Sequence, residues 1–153
     1  MPANTSYEIV SFAEEHRQGV IHLWQECGLT RSWNDPDKDI DRKLKDPVGR
    51  LLVLLCREPE RPDAEPQIAG SVMVGYDGHR GSIYYLAIAP KHQGKGLGQK
   101  LMAYCEAFLT ELGCPKINLF VRADNEAATG FYNALGYVMD TSPAYGKRLI
   151  PDD

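Results

Sequence analysis

"AIAPKHQGKGLGQKLM", Ala87 to Met102, joins an apolar run ending before Pro90 to a helix-forming stretch, with Gly94, Gly96 and Gly98 at alternate positions between them. A glycine has no Cβ, so such a loop can turn successive N–H groups toward one point, and the positive end of the following helix dipole adds to them. A pyrophosphate fits that nest. Two other phosphate loops fail on spacing. A Walker loop needs Gly-Lys and then Ser or Thr, but five residues past Gly94 stands Gln99, followed by Lys100 and Leu101. A dinucleotide fingerprint needs a glycine three residues after Gly96, and that position is again Gln99. What is left is Gln93-x-x-Gly96-x-Gly98 between a strand and an amphipathic helix.

Downstream of the loop, Leu97, Leu101, Tyr104, Cys105, Phe108 and Leu112 recur at helical spacing, and Gly113 supplies the stop. A crossover helix implies that "KINLFVRA", Lys116 to Ala123, lies parallel to the "SIYYLAIA" strand before the loop. Asn125 caps a short helix ending at Gly136, and "YVMD" and "YGKRLI" read as two closing strands. Upstream, Tyr7 to Phe12 alternates like a strand, and Glu14 to Cys27 sets Val20, Leu23, Trp24 and Cys27 on one helical face that Gly28 ends. Pro36 opens a second helix, poor in apolar residues, to about Lys45. "LLVLLC", Leu51 to Cys56, suits a strand buried on both faces; Ile68 to Tyr76 returns beside it, and "YDGHRG" turns the chain into "SIYYLAIA". The order is βααβββαβαββ, a mixed α+β fold in which a mostly antiparallel twisted sheet is flanked by helices. Residues 1–153 read as a single domain.

Composition narrows the function. The chain has 153 residues, 17 Lys and Arg against 21 Asp and Glu, and a net charge of -4, which argues against a broad nucleic-acid surface. No apolar run approaches membrane-spanning length, and the polar start from Met1 to Ser6 lacks the features of a signal peptide, so a cytoplasmic protein is expected. Cys27, Cys56, Cys105 and Cys114 show neither CxxC pairing nor zinc spacing, so no metal is expected.

The strand ending near Pro90, followed by Gln93-x-x-Gly96-x-Gly98, resembles the central signature of the GNAT superfamily of acetyl-CoA-dependent N-acetyltransferases. A second signature, "NEAATGFYNALGY", matches Asn-x-x-Ala-x-x-Phe-Tyr-x-x-Leu-Gly-aromatic through Asn125, Ala128, Phe131, Tyr132, Leu135, Gly136 and Tyr137. "RSWNDPDKDIDRK" and "VGYDGHRGS" look especially similar to the small bacterial YpeA-type acetyltransferases. The resemblance implies acetyl-CoA as donor and an amine acceptor, either a small molecule or a peptide or protein. It implies that Gln93, Gly94, Lys95, Gly96, Leu97, Gly98 and Gln99 hold the cofactor's phosphates. It further implies a bulge at Leu86, Ala87 and Ile88 that frees this strand to pair with the pantetheine arm, with an N–H near Ile88 polarising the thioester carbonyl. Asn125 is both a helix cap and a candidate cofactor contact, and Tyr132 is implied to give a proton to the departing thiolate.

The acceptor side is less legible. Many relatives carry a glutamate on the strand before the loop, but "SIYYLAIA" has no carboxylate, and the general base stays unassigned. Asp77, His79 and Tyr84 are candidates, against a plain hairpin turn at Asp77-Gly78 with water taking the proton. Trp33, Asn34 and Asp35 occupy the loop that in this family overhangs the acceptor, with Tyr76, Asp77 and His79 as further candidate substrate contacts; Trp33 could equally plug the core. The acids Asp35, Asp37, Asp39 and Asp41 could steer a cationic amine, but they alternate with Lys38, Arg42 and Lys43 and read chiefly as a solvated helix face. Two rivals stand beside acetyl transfer: a non-catalytic acyl-CoA sensor and a transferase for a longer acyl group. A homodimer is left open.

Overall fold

The structure, a computed structural model, describes residues 5–152. Met1 to Asn4, most of the polar start read above, and Asp153 lie outside the described residues. The chain runs β1 (Ser6–Ser11), α1 (Arg17–Glu26), α2 (Pro36–Leu44), β2 (Arg50–Arg57), β3 (Gln67–Tyr76), β4 (Gly81–Ile88), α3 (Leu97–Glu111), β5 (Ile117–Leu119) and α4 (Glu126–Ala134). The strands form one sheet in the order β1-β2-β3-β4-β5. All pairs are antiparallel except β4 with β5, which is parallel because α3 crosses between them. This is the mixed α+β class that the residue pattern implies.

Burial in β2 explains its uninterrupted apolar run. Leu51, Val53 and Leu55 point to one face and pack with Val20, Leu23 and Trp24 of α1 and Ile40 of α2. Leu52, Leu54 and Cys56 point to the other and pack with Leu101, Met102, Cys105 and Leu109 of α3. Helices on both faces leave no position from Leu51 to Cys56 for a polar side chain. Ile40 is the buried residue of α2, whose other positions are mainly polar and mostly exposed, as its sequence implies. Pro36 stands in its first turn and the Asp35 carboxylate caps it through the N–H of Asp37 at 2.9 Å.

Alternation along β4 breaks in the middle. Ile83 packs into the α3 core, but Tyr85 and Ala87, also odd-numbered, pack with the α1 core, and Leu86 and Ile88 return to the α3 side. The register explains the switch: Met73 pairs with Tyr84 and Ser71 with Ala87, so two residues of β4 oppose one of β3 in a bulge.

Two expectations fail at the C-terminus. "YVMD" and "YGKRLI" form no strands: residues 138–152 are irregular, and Val138, Met139, Tyr145 and Leu149 are at least 84% exposed. β5 is also shorter than "KINLFVRA" suggests, holding three residues. Beyond Gly136 the chain is drawn elsewhere by polar contacts. Asp140 takes Lys116 at 2.9 Å, Arg148 donates to the Asn34 side chain, and Asp152 is gripped by Arg42 at 2.7 Å. No helix among the described residues is long and apolar enough to cross a membrane.

Candidate active site

The glycine loop leaves β4 through a short 3-10 turn at Pro90–His92. Gly94 and Gly96 have φ of 80° and 75°, left-handed values that cost an L-residue about 1–2 kcal/mol, and Gly96 is the N-cap of α3. A Cβ on either would meet nothing within 4 Å, so both positions look onto open space. Gly98 serves a different need. Inside α3, its absent Cβ would stand 3.2 Å from Cε1 and Cζ of Phe131, which lets α4 seat against the start of α3. Gln93 is turned back, its Nε2 donating to the Ile88 carbonyl at 3.0 Å and tying the loop to the end of β4. Lys95 reaches the Tyr7 hydroxyl at 3.5 Å, and Lys100 the Tyr7 carbonyl at 3.1 Å.

Under the loop sits His92, buried, with Nδ1 3.0 Å from the Tyr7 hydroxyl and Nε2 enclosed without a hydrogen-bond partner among the described residues. Burial lowers its pKa below the ordinary imidazole value, and the charges of Lys91 and Lys95 lower it further.

On the outer side, β5 accompanies β4 only from Gly81↔Ile117 to Ile83↔Leu119. From Tyr84 to Ile88 this edge of β4 has no strand beside it among the described residues, and the bulge within it falls at Tyr85 and Leu86, beginning one residue before the Leu86 to Ile88 stretch that the resemblance implies. An exposed strand edge is where an extended ligand can add as a further strand. The gap opens into a cavity of ≈ 370 Å³ bounded by β4 from Ile83 to Leu86, the chain after β5, the α1–α2 loop, and Asn125, Ala128 and Tyr132 at α4. A larger depression of ≈ 630 Å³ between Trp33, Arg42 and residues 146–150 contains no residue of β4, α3 or α4.

Tyr132 projects from α4 among aromatic neighbours, edge-on to Phe131 at 5.0 Å and to Tyr137 at 5.7 Å between ring centroids. Burial pushes its pKa up to about 12, with Cys105 adding to the effect, so at neutral pH the phenol keeps its proton. Asn125 caps α4 by accepting the Ala128 N–H at 3.0 Å while bordering the same cavity. Cap and wall are thus one residue.

The acceptor-side candidates divide. Trp33 is 53% exposed and borders the cavity, so the core plug is Trp24, which is fully buried. Asn34 also borders it, whereas Asp35 caps α2 and its N–H donates to Asp152 at 2.8 Å. Tyr76, Asp77 and His79 lie at the β3–β4 hairpin and stay outside the cavity wall. Asp77 accepts the N–H groups of Arg80 and His79, both at 2.8 Å, which holds its pKa below the usual carboxylate value and suits a turn rather than a base. Residue-by-residue reading missed Tyr85 and could not separate Asp39 from the other acids of its helix, and the fold brings the two together at this cavity. The adjacent tyrosines of "SIYYLAIA" were the available signal, since they interrupt the period-two alternation of a strand.

The family model for the GNAT acetyltransferases matches residues 11–137. The chain belongs to the GNAT acetyltransferase family. This GNAT chain is 44% identical over 145 residues to an acetyltransferase of Pectobacterium atrosepticum, covering 95% of this chain and 97% of that one. It is 43% identical over 145 residues to an acetyltransferase of Yersinia pseudotuberculosis, with the same coverage of both chains, 95% and 97%. Among solved structures, an aminoglycoside N-acetyltransferase in complex with CoA aligns over 97% of this chain and 99% of that one, with TM-score 0.72 and 15% identity. The Escherichia coli ribosomal-protein-S18-alanine N-acetyltransferase aligns over 86% and 77%, with TM-score 0.67 and 20% identity. At those identities the likeness is one of fold. Family membership makes the chain an acyltransferase with acetyl-CoA as donor. Its residues fit that donor, with an open glycine cradle at the start of a helix and an open strand edge beside it.

Proposed function

We propose that this GNAT enzyme transfers acetyl from acetyl-CoA to a primary amine by direct attack, with Tyr132 as general acid. The observation that carries the reading is Tyr132 itself: a half-buried phenol, its pKa raised to about 12, on the wall of the cavity into which the free edge of β4 opens. N–H groups from Gln93 through Gln99 and the α3 N-terminus hold the pyrophosphate, with Asn125 bordering the cofactor. The edge from Leu86 to Ile88 pairs with the pantetheine arm and aims an N–H at the thioester oxygen, where charge develops in the transition state. When bound, acetyl-CoA supplies a thioester carbonyl carbon that forms the new C–N bond with the amine and a C–S bond that breaks. Tyr132 gives its proton to the departing sulfur, and the amine's surplus proton leaves to water. The test is a panel of amines and peptides scored for both thiol release and acceptor mass. Acetylated product with matching thiol release is the expected result; thiol release without an acetylated acceptor in every case would overturn the reading.

A further inference from the structure

Asp39 is the acid of α2 whose side chain the fold withdraws from water, at 24% exposure against 56% for Asp37 and 59% for Asp41. Its Oδ2 accepts the Tyr85 hydroxyl at 2.7 Å, and its Oδ1 accepts Arg42 at 3.2 Å. Arg42 gives its shorter bond, 2.7 Å, to Asp152. Tyr85 is itself unusual. Its φ of 52° is the only positive value for a non-glycine among the described residues, at a cost of about 1–2 kcal/mol. Backbone strain of this kind persists where surroundings over-determine it, and it concentrates at functional sites. Here the ring stacks on Trp24 with centroids 3.8 Å apart and 13° between planes. The Trp24 indole N–H donates to Ser71 Oγ at 2.9 Å, and that hydroxyl donates to the Tyr85 carbonyl, also at 2.9 Å. Trp24 and Ser71 are fully buried. A rigid chain of contacts therefore starts in the core and ends on a carboxylate in the cavity wall.

The same cavity presents Trp33, Tyr84 and Phe120, which are 53%, 49% and 65% exposed. A carboxylate set among exposed aromatic rings is the chemistry that recognises an ammonium group attached to a flat apolar body. We propose that Asp39, held by Tyr85, binds the ammonium group of the acceptor, and that the acceptor is a primary amine carried on an aromatic or similarly flat body. This rests on the acetyl-transfer reading only in calling the ligand an acceptor; binding tests it separately.

The probes are tyramine and its neutral counterpart with a hydroxyl in place of the amine, titrated by calorimetry into CoA-loaded protein. Wild type is expected to prefer tyramine by about ten-fold or more, since a hydrogen bond between charged groups is worth that ratio. Asp39→Asn should bind both probes equally while its affinity for CoA stays within about two-fold of wild type. Tyr85→Phe keeps the ring on Trp24 and loses only the hydroxyl, so its preference should shrink. It carries the test if Asp39→Asn fails to fold, and an unchanged preference there would overturn the proposal. So would an absent preference in wild type, or one that survives in folded Asp39→Asn. Preference lost in Asp39→Asn, with no acetylated tyramine formed from acetyl-CoA, would uphold the site and count against acetyl transfer to this class.

Discussion

A Cβ added to Gly98 would lie 3.2 Å from both Cε1 and Cζ of Phe131, so the glycine of the phosphate loop and the ring of the second signature meet in one contact. α4 carries Asn125 at its cap and Tyr132 on its last turn, and the contact sets where both stand relative to the loop. Gly98→Val should therefore destabilise the fold by about 1–3 kcal/mol through overpacking. Phe131→Leu in the same chain should recover part of that loss, a coupling read from thermal midpoints of the two single variants and the double variant. Additive losses would show that the two residues are not in contact.

Gly96→Asp should abolish cofactor binding. The substitution puts a side chain and a like charge where the pyrophosphate approaches, at a φ of 75°. Gly113→Asp, at a φ of 84° past the end of α3, carries comparable backbone strain away from the loop. Acetyl-CoA at about 100 times its Kd should stabilise wild type and Gly113→Asp by about 2.7 kcal/mol and leave Gly96→Asp unshifted. A full shift in Gly96→Asp would move the phosphate site elsewhere.

Tyr132→Phe should keep cofactor affinity and lose about 10²- to 10⁴-fold in single-turnover thiol release, the usual worth of general-acid help. Because burial raises the phenol's pKa to about 12, its ionisation should not cut the wild-type rate at any pH below about 11. Equal rates in the two proteins would remove Tyr132 from the mechanism.

His92 makes stability depend on pH. Its folded pKa lies below the unfolded value of about 6.5, so the unfolded chain binds more protons between the two values and stability rises with pH there. The contribution is full above about pH 6.5 and is lost as pH falls through the folded pKa. Urea midpoints for His92→Gln should vary less than those of wild type across this window; parallel curves would place the titration elsewhere.

The carboxylate of Asp152 joins the C-terminal segment to α2 and its cap, through Arg42 at 2.7 Å and the Asp35 N–H at 2.8 Å. Those bonds hold its pKa down to about 2. Asp152→Ala should make the segment after Gly136 more susceptible to limited proteolysis and leave cofactor affinity unchanged. Unaltered cleavage kinetics would show that this anchor does not hold the segment.

Local chemistry settled a large part of this protein from sequence. Helix periods, the stops at Gly28, Gly113 and Gly136, and the cap at Asn125 depend on residues within a few positions of each other, and the structure has each of them in place. The two linked signatures likewise carried the family. What only the tertiary structure decided rests on contacts between residues far apart in the chain. Tyr85 and Asp39 are 46 positions apart, and nothing local distinguishes Asp39 from its acidic neighbours until the bulge in β4 turns a phenol toward it. The final strands failed for a related reason: a strand needs a partner, and β5, with three residues, stops before the closing segments could pair, while the Arg42–Asp152 ion pair and the Arg148–Asn34 hydrogen bond draw the last residues toward α2 and the loop before it.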